Sequence, residues 1–300
     1  MAHDYESDVW VDWCKGCGNF GIISSMYKAF KELDLSKKNT VVVSGIGCSG
    51  KIPHYIEVSG VHTLHGRAIP FASGIKISNP ELDVIVNGGD GDLLGIGAGH
   101  FVALGRRNID ITILLHDNRV YGLTKGQAAP TLDRDVKTKA LLKPNIQDPV
   151  EPLKLALTCG FTYVARGSAL DPNQLKRLII EGIEHEGTAF IDILQPCVTY
   201  NDIHTWDYIK ENVERLDEDY DPKISDDEDK INQVFKMLND KEKIYTGVFL
   251  KDEDKSTFEE RITNMMHDYS KSPPAKQEIG RIMDQHDMED LFERYLIERV

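Results

Sequence analysis

Stretches with helical 3–4 spacing of apolar residues alternate along this chain with short, unbroken apolar runs. Ile22, Ile23, Met26, Ala29, Phe30 and Leu33 fall on one face at that spacing, which predicts a helix over Asn19–Leu33. Thr40–Val43 is a β-branched run and predicts a strand that ends in the glycine-rich loop Gly45–Gly50. Ile69–Ser78 predicts the next helix, and Leu82–Val86 a strand running directly into Gly88-Gly89-Asp90. A glycine-tolerant helix is expected over Leu93–Leu104 and a strand over Ile109–Leu115. Helices over Pro152–Thr158 and Pro172–Glu186 then alternate with strands near Tyr163–Ala165 and over Phe190–Leu194. Continuous apolar strands suit a parallel sheet covered on both faces. The alternation as a whole predicts an α/β fold with a doubly wound, mostly parallel sheet.

The pattern changes at Asp217–Asp229, where eight of thirteen residues are Asp or Glu, as expected of a solvated linker or surface excursion. That divides residues 1–216 from a polar C-terminal extension, 217–300. The extension contains a mixed segment (Ile231–Leu250), a break at Ser272–Pro274 and a final amphipathic helix, Met288–Val300. Leu291, Phe292, Tyr295, Leu296 and Val300 share one face of that helix, which suits a partner subunit or the chain's own sheet. No apolar run approaches the ~18 residues of a membrane helix. Met1–Glu6 lacks the basic and apolar regions of a secretion signal, so a cytoplasmic protein is expected. The net charge of −14 argues against nucleic-acid binding, which calls for a basic surface. It leaves room for a single diphosphate whose charge a metal ion and local amides would balance.

The chemistry starts from Gly89-Asp90-Gly91-Asp92 at a strand end, with Asn118 28 positions beyond Asp90. A carboxylate and an amide oxygen at that spacing lie one strand–helix–strand unit apart, on one sheet edge. They are the hard oxygen ligands that magnesium takes when it is shared with a diphosphate. Gly91 and Asp92 open the following helix, where amides can meet phosphate oxygens. Gly95-Ile96-Gly97-Ala98-Gly99 falls inside that helix rather than at the strand-to-helix turn, so a dinucleotide fingerprint is excluded and the glycines are read as permitting close helix–sheet packing.

Five cysteines in a cytoplasmic chain point to metal, redox chemistry or burial rather than disulfides. Cys14-x-x-Cys17 alone is open to zinc, a redox pair or an iron–sulfur site. Cys48 lies in the glycine loop after the first strand, and Cys197 follows the strand Phe190–Leu194, so both belong to the same sheet edge. Four converging thiolates are what a [4Fe–4S] cluster needs. Cys159 ends a predicted helix and is read as a buried small hydrophobe.

Five blocks carry a resemblance: Trp13-Cys14-Lys15-Gly16-Cys17-Gly18, Gly45–Lys51, Leu64–Pro70, Gly89–Asn118 with its continuation to Gln127, and Gln195-Pro196-Cys197. From about Trp10 to Arg215 the chain resembles the beta subunit of archaeal-type 2-oxoacid:ferredoxin oxidoreductases, which share a thiamine diphosphate-binding fold. The resemblance implies magnesium on Asp90, Asn118 and the Val120 carbonyl. It implies thiamine diphosphate against Ile46, Gly47, Cys48, Ser49, His65, Gly91, Asp92, Gly122 and Leu123, and a [4Fe–4S] cluster on Cys14, Cys17, Cys48 and Cys197. Lys51, Leu123 and Lys125 are expected on the substrate side, and Arg67 has no assigned role. The implied reaction is coenzyme A-dependent oxidative decarboxylation of a 2-oxoacid, pyruvate or 2-oxoglutarate, with electrons passing to ferredoxin. It also implies an alpha subunit, which would supply the glutamate for the aminopyrimidine ring and most coenzyme A contacts. Two alternatives stand beside this reading: a non-redox thiamine decarboxylase or synthase, and a non-catalytic metal-binding assembly subunit.

Overall fold

The structure is a computed structural model, and it describes residues 4–217, 219–224, 229–240 and 243–277. In chain order the elements are α1 (Asn19–Glu32), β1 (Thr40–Ser44), α2 (Ile52–Tyr55), β2 (Ser59–His62), α3 (Ala68–Ser78), β3 (Asp83–Gly89), α4 (Ala98–Arg107), β4 (Thr112–Asp117), β5 (Val120–Tyr121) and β6 (Gln127–Ala128). There follow α5 (Pro152–Cys159), β7 (Tyr163–Ser168), α6 (Pro172–Glu184), β8 (Ala189–Leu194), α7 (Trp206–Asn212), β9 (Val213–Arg215), α8 (Asp229–Leu238), β10 (Ile244–Lys251) and α9 (Phe258–Met265). An eight-stranded sheet has the order β2-β1-β3-β4-β8-β7-β10-β9, and β5 and β6 form a separate small ribbon. Every pairing in the large sheet is parallel except β10 with β7. The expected doubly wound α/β architecture is therefore present.

The alternation along each strand divides the core into two layers. Val41, Val43, Val84, Val86, Ile113 and Leu115 face α3, α4 and α5, while Val42, Ile85, Leu114 and Ile191 face α1, α2 and α6. Both faces are covered, which is why these strands read as continuous apolar runs. Asp171 caps α6 by accepting from the Gln174 amide, and Pro172 occupies the first turn, where its missing N–H costs nothing.

Three expectations need correction. The helix expected over Leu93–Leu104 begins as a π-helical segment, Gly91–Ile96, and becomes α-helical only from Ala98. A Cβ on Gly91 would run into the Tyr121 ring, so a glycine is needed where this widened turn passes under the site. Nor do the nearby glycines serve helix–sheet packing: Gly95 abuts the Tyr121 hydroxyl and Pro130, and Gly99 has open space beside it. Finally, Ile231–Leu250 holds a helix and most of strand β10, which continues the main sheet past the acidic stretch. Ile224 donates to Lys251 O at 3.0 Å and Lys251 to Pro222 O at 2.7 Å, so the described part of that stretch is fastened to the sheet. The helix expected over Met288–Val300 lies outside the described residues. Among the described residues, no helix is long and apolar enough to cross a membrane.

A buried polar triplet ties α1 to the central strands. His116 is fully buried, with Nδ1 2.8 Å from Asn19 Oδ1 and Nε2 3.0 Å from Asn87 Oδ1. A neutral ring donates at one nitrogen and accepts at the other, so one amide must turn its NH2 toward the ring. Both NH2 groups otherwise lack a partner. Burial lowers the His116 pKa from 6.5 to about 3, so the folded state resists protonation. The resulting stability is present above pH 6.5 and is lost as the pH falls from there toward 3. His116→Gln is expected to lower the thermal midpoint of the assembled protein near neutrality, and the gap to wild type should narrow on acidification. A gap that stays constant with pH would contradict the buried neutral histidine.

Candidate functional site

Chain order reverses at β1. The next strand, β2, lies on one side of it and β3 on the other, which opens a crevice at the carboxyl ends of the strands. A cavity of about 230 Å³ lies in that crevice, walled by Ile46–Ser49 after β1, Gly89–Asp92 after β3, Asn118 and Val120–Thr124 after β4, and His65. All nine residues expected to bind the cofactor line it, as do the three expected magnesium ligands.

Asp90 is 2% exposed; its Oδ1 accepts from the Gly91 amide at 2.9 Å and its Oδ2 from Thr131 Oγ1 at 2.6 Å. Thr131 Oγ1 also lies 2.7 Å from Asp117 Oδ1. Burial and the adjacent Asp117 push the Asp90 carboxyl well above its ordinary pKa. A buried site with excess negative charge is one that a divalent cation would relieve, so these residues fit magnesium. Asn118 Oδ1 accepts from the Val120 amide at 3.0 Å, which holds the Asn118 side chain against Val120 on the cavity wall.

The side chain of Asp92 plays a role that its sequence position did not reveal. Its Oδ1 accepts from the Gly66 amide at 2.7 Å and the Ile46 amide at 3.2 Å, and lies 2.8 Å from His65 Nδ1. A Cβ on Gly45 would collide with this carboxylate, which explains the glycine there. Asp92 thus fastens the two loops that wall the cavity, and burial raises its pKa. The Gly91 amide, expected to face a phosphate, is directed at Asp90 instead.

The four expected cluster cysteines converge beside the cavity. A Cβ on Gly122 would stand 3.4 Å from Cys48 Sγ and 3.7 Å from Cys197 Sγ. Burial pushes the Cys17 thiol up to about 12, with Cys197, Cys48 and Cys14 adding to the shift. Cys48 and Cys197 are raised for the same first reason. Thiols in this state need the positive charge of bound metal to become thiolates, so their placement fits a cluster. Among the described residues, no three His, Cys, Asp or Glu side chains close around a single-ion site. Cys159 lies apart on α5, half-buried against the core.

The two cations expected on the substrate side do not line the cavity. Lys51 Nζ is 2.9 and 2.7 Å from the two carboxylate oxygens of Asp12, which also accepts from the Tyr55 hydroxyl at 2.6 Å. Lys125 is exposed in the left-handed region (φ 80°), two residues past the half-exposed Leu123 on the cavity wall. Arg67 contacts His100 at 3.2 Å. Four contributors went unrecognised in the sequence. Tyr121 lines the cavity; Thr131 and Asp117 stand behind Asp90; and the Gln195 side chain lies between Asn118 and Cys17.

The fold and this crevice define a thiamine-diphosphate-type α/β domain. In agreement, residues 45–193 match the family "Thiamine pyrophosphate enzyme, C-terminal TPP binding domain", and residues 197–267 match the C-terminal family of the pyruvate ferredoxin oxidoreductase beta subunit. The chain is 52% identical to 2-oxoacid:ferredoxin oxidoreductase 1, subunit beta, of Aeropyrum pernix, covering 98% of this chain and 96% of that one. It is 56% identical to the 2-oxoacid:ferredoxin oxidoreductase beta subunit of a Sulfolobus species, covering 91% and 92%. A solved 2-oxoglutarate:ferredoxin oxidoreductase from Magnetococcus marinus, with 2-oxoglutarate, coenzyme A and succinyl-CoA bound, superposes with a TM-score of 0.84 at 34% identity, covering 96% and 94%. The chain belongs to the 2-oxoacid:ferredoxin oxidoreductase beta subunits.

Asp92→Ala would strand the Ile46 and Gly66 amides, at about 1–3 kcal/mol for each buried donor left unpaired. Thiamine diphosphate affinity, measured by calorimetry, should fall about tenfold or more. Unchanged affinity would show that the two loops are held by other contacts.

Proposed function

We propose that this chain, with an alpha subunit, catalyses coenzyme A-dependent oxidative decarboxylation of a 2-oxoacid, pyruvate or 2-oxoglutarate. The products are an acyl-CoA and carbon dioxide, and electrons leave through a [4Fe–4S] cluster to ferredoxin. The observation that carries this reading is that Cys48 belongs to both groups of residues: it walls the cavity shared by Asp90 and Asn118, and it stands beside Cys197 at Gly122.

Thiamine diphosphate, when bound, supplies an electron sink for the loss of carbon dioxide, and the cluster takes up electrons singly. The chain's own residues bind and orient. Asp90, Asn118 and the Val120 carbonyl hold magnesium, while the Ile46–Ser49 loop and His65 hold the cofactor. Asp92 keeps those two loops in register. Tyr121 and Leu123 line the cavity wall and limit water. Lys125, two residues past Leu123 on the loop that walls the cavity, is assigned to the substrate carboxylate. The alpha subunit brings the remaining acid–base group, coenzyme A contacts and much of the substrate pocket. Coenzyme A and 2-oxoglutarate in the Magnetococcus marinus enzyme support that substrate class.

A non-redox thiamine enzyme would have no use for four thiols at this edge, so iron content tests the reading directly. Replacing Cys14, Cys17, Cys48 or Cys197 by Ser should each lower iron and stop ferredoxin reduction, because oxygen is a poor substitute for thiolate at iron. Cys159→Ser should leave iron unchanged. Loss of iron only in the Cys159 variant, or zinc in place of iron in the wild type, would overturn the assignment.

A further inference from the structure

The structure assigns Gln195 a double positioning role: its carboxamide orients the Asn118 side chain toward the cation site and donates a hydrogen bond to the Cys17 sulfur. The inference rests on the proposed function and adds a residue that serves both centres. Gln195 follows β8, and its backbone amide donates to Asp117 O at 2.9 Å, which carries the β4–β8 pairing one residue beyond the strands. Its side chain is 2% exposed. Oε1 accepts from Asn118 Nδ2 at 2.9 Å, and Nε2 donates to Cys17 Sγ at 3.4 Å and Pro196 O at 3.2 Å.

The direction of this chain is fixed at both ends by backbone groups. The Val120 amide can only donate, so Asn118 must present Oδ1 to it and Nδ2 to Gln195. The Pro196 carbonyl can only accept, so Gln195 must present Nε2 to it, and that same nitrogen faces Cys17. Reversing either amide would break a contact at each of its ends. The consequence is chemical. With Nδ2 committed to Gln195, the Asn118 oxygen is the atom left for a cation. An N–H aimed at a cluster thiolate favours the more negative, reduced cluster and so raises its potential. A Cβ on Gly18 would stand 2.8 Å from Gln195 Cγ, so the Cys17–Gly18 turn is shaped around this side chain.

Two near-isosteric variants separate the halves of the role in the assembled complex. Gln195→Glu keeps an oxygen for Asn118 Nδ2 but loses the donor to sulfur. It should hold magnesium-dependent thiamine diphosphate affinity within about threefold while lowering the cluster potential in an anaerobic redox titration. Gln195→Met loses both contacts. It should lower the potential and weaken magnesium about 10–100-fold, the usual effect of removing a group that orients a metal ligand. As a measurement free of substitutions, wild type carrying ¹⁵N in its glutamine side chains should show a nitrogen coupling to the reduced cluster in pulsed electron paramagnetic resonance. If neither variant changes potential or magnesium affinity, or the coupling is absent, the role of Gln195 is overturned. A wild-type complex without iron or magnesium-dependent cofactor binding would instead overturn the functional reading beneath it.

Discussion

Everything at this site depends on β1, β3, β4 and β8 being parallel neighbours, which brings their carboxyl ends to one edge. In register, Gly89 pairs with His116 and Asp117 with Leu194, so Asp90, Asn118 and Gln195 leave the sheet side by side although they are far apart in sequence. The crossover after β1 carries the chain away in the opposite direction from that after β3, and the gap between them is the cavity. The thiols use the same geometry. Cys48 and Cys197 follow strand ends, and the Cys14–Gly18 turn is drawn to that edge by the bond from the Gly18 amide to Pro196 O at 3.3 Å.

The second constraint is charge. The edge buries Asp90, Asp92 and Asp117 together with thiols that burial raises above their usual range. Two backbone amides and His65 meet Asp92. Thr131 has one hydroxyl proton to offer Asp90 and Asp117, so it can donate to only one of the two carboxylates at a time. The polypeptide by itself is therefore electrostatically incomplete here, and bound cations would supply what it lacks.

Much of this was legible in the sequence because it depends on backbone topology. A strand ending in Gly-Asp-Gly, followed by an Asn one strand–helix–strand unit later, sets its own position once the sheet forms, and the apolar runs announced that sheet. Side-chain direction was not legible. Lys51 follows the Cys48 loop closely in sequence, yet its ammonium turns outward to Asp12. Asp92 looked like a helix-opening residue with an amide to offer, and its carboxylate instead clasps two loops. Gln195 stood in view beside Cys197, but nothing local says that its amide reaches Asn118. Strand β10 escaped because it pairs with β7 and β9, both remote in sequence, and its own pattern is half-buried and irregular.

The central proposal is that one sheet edge would hold both the decarboxylating cofactor and the first electron acceptor. The most direct measurement mixes the purified complex anaerobically with a 2-oxoacid and coenzyme A, without ferredoxin, and follows the visible absorbance of the cluster. The account predicts prompt bleaching as the cluster is reduced, accompanied by carbon dioxide release. Carbon dioxide release with the cluster still oxidised would contradict it.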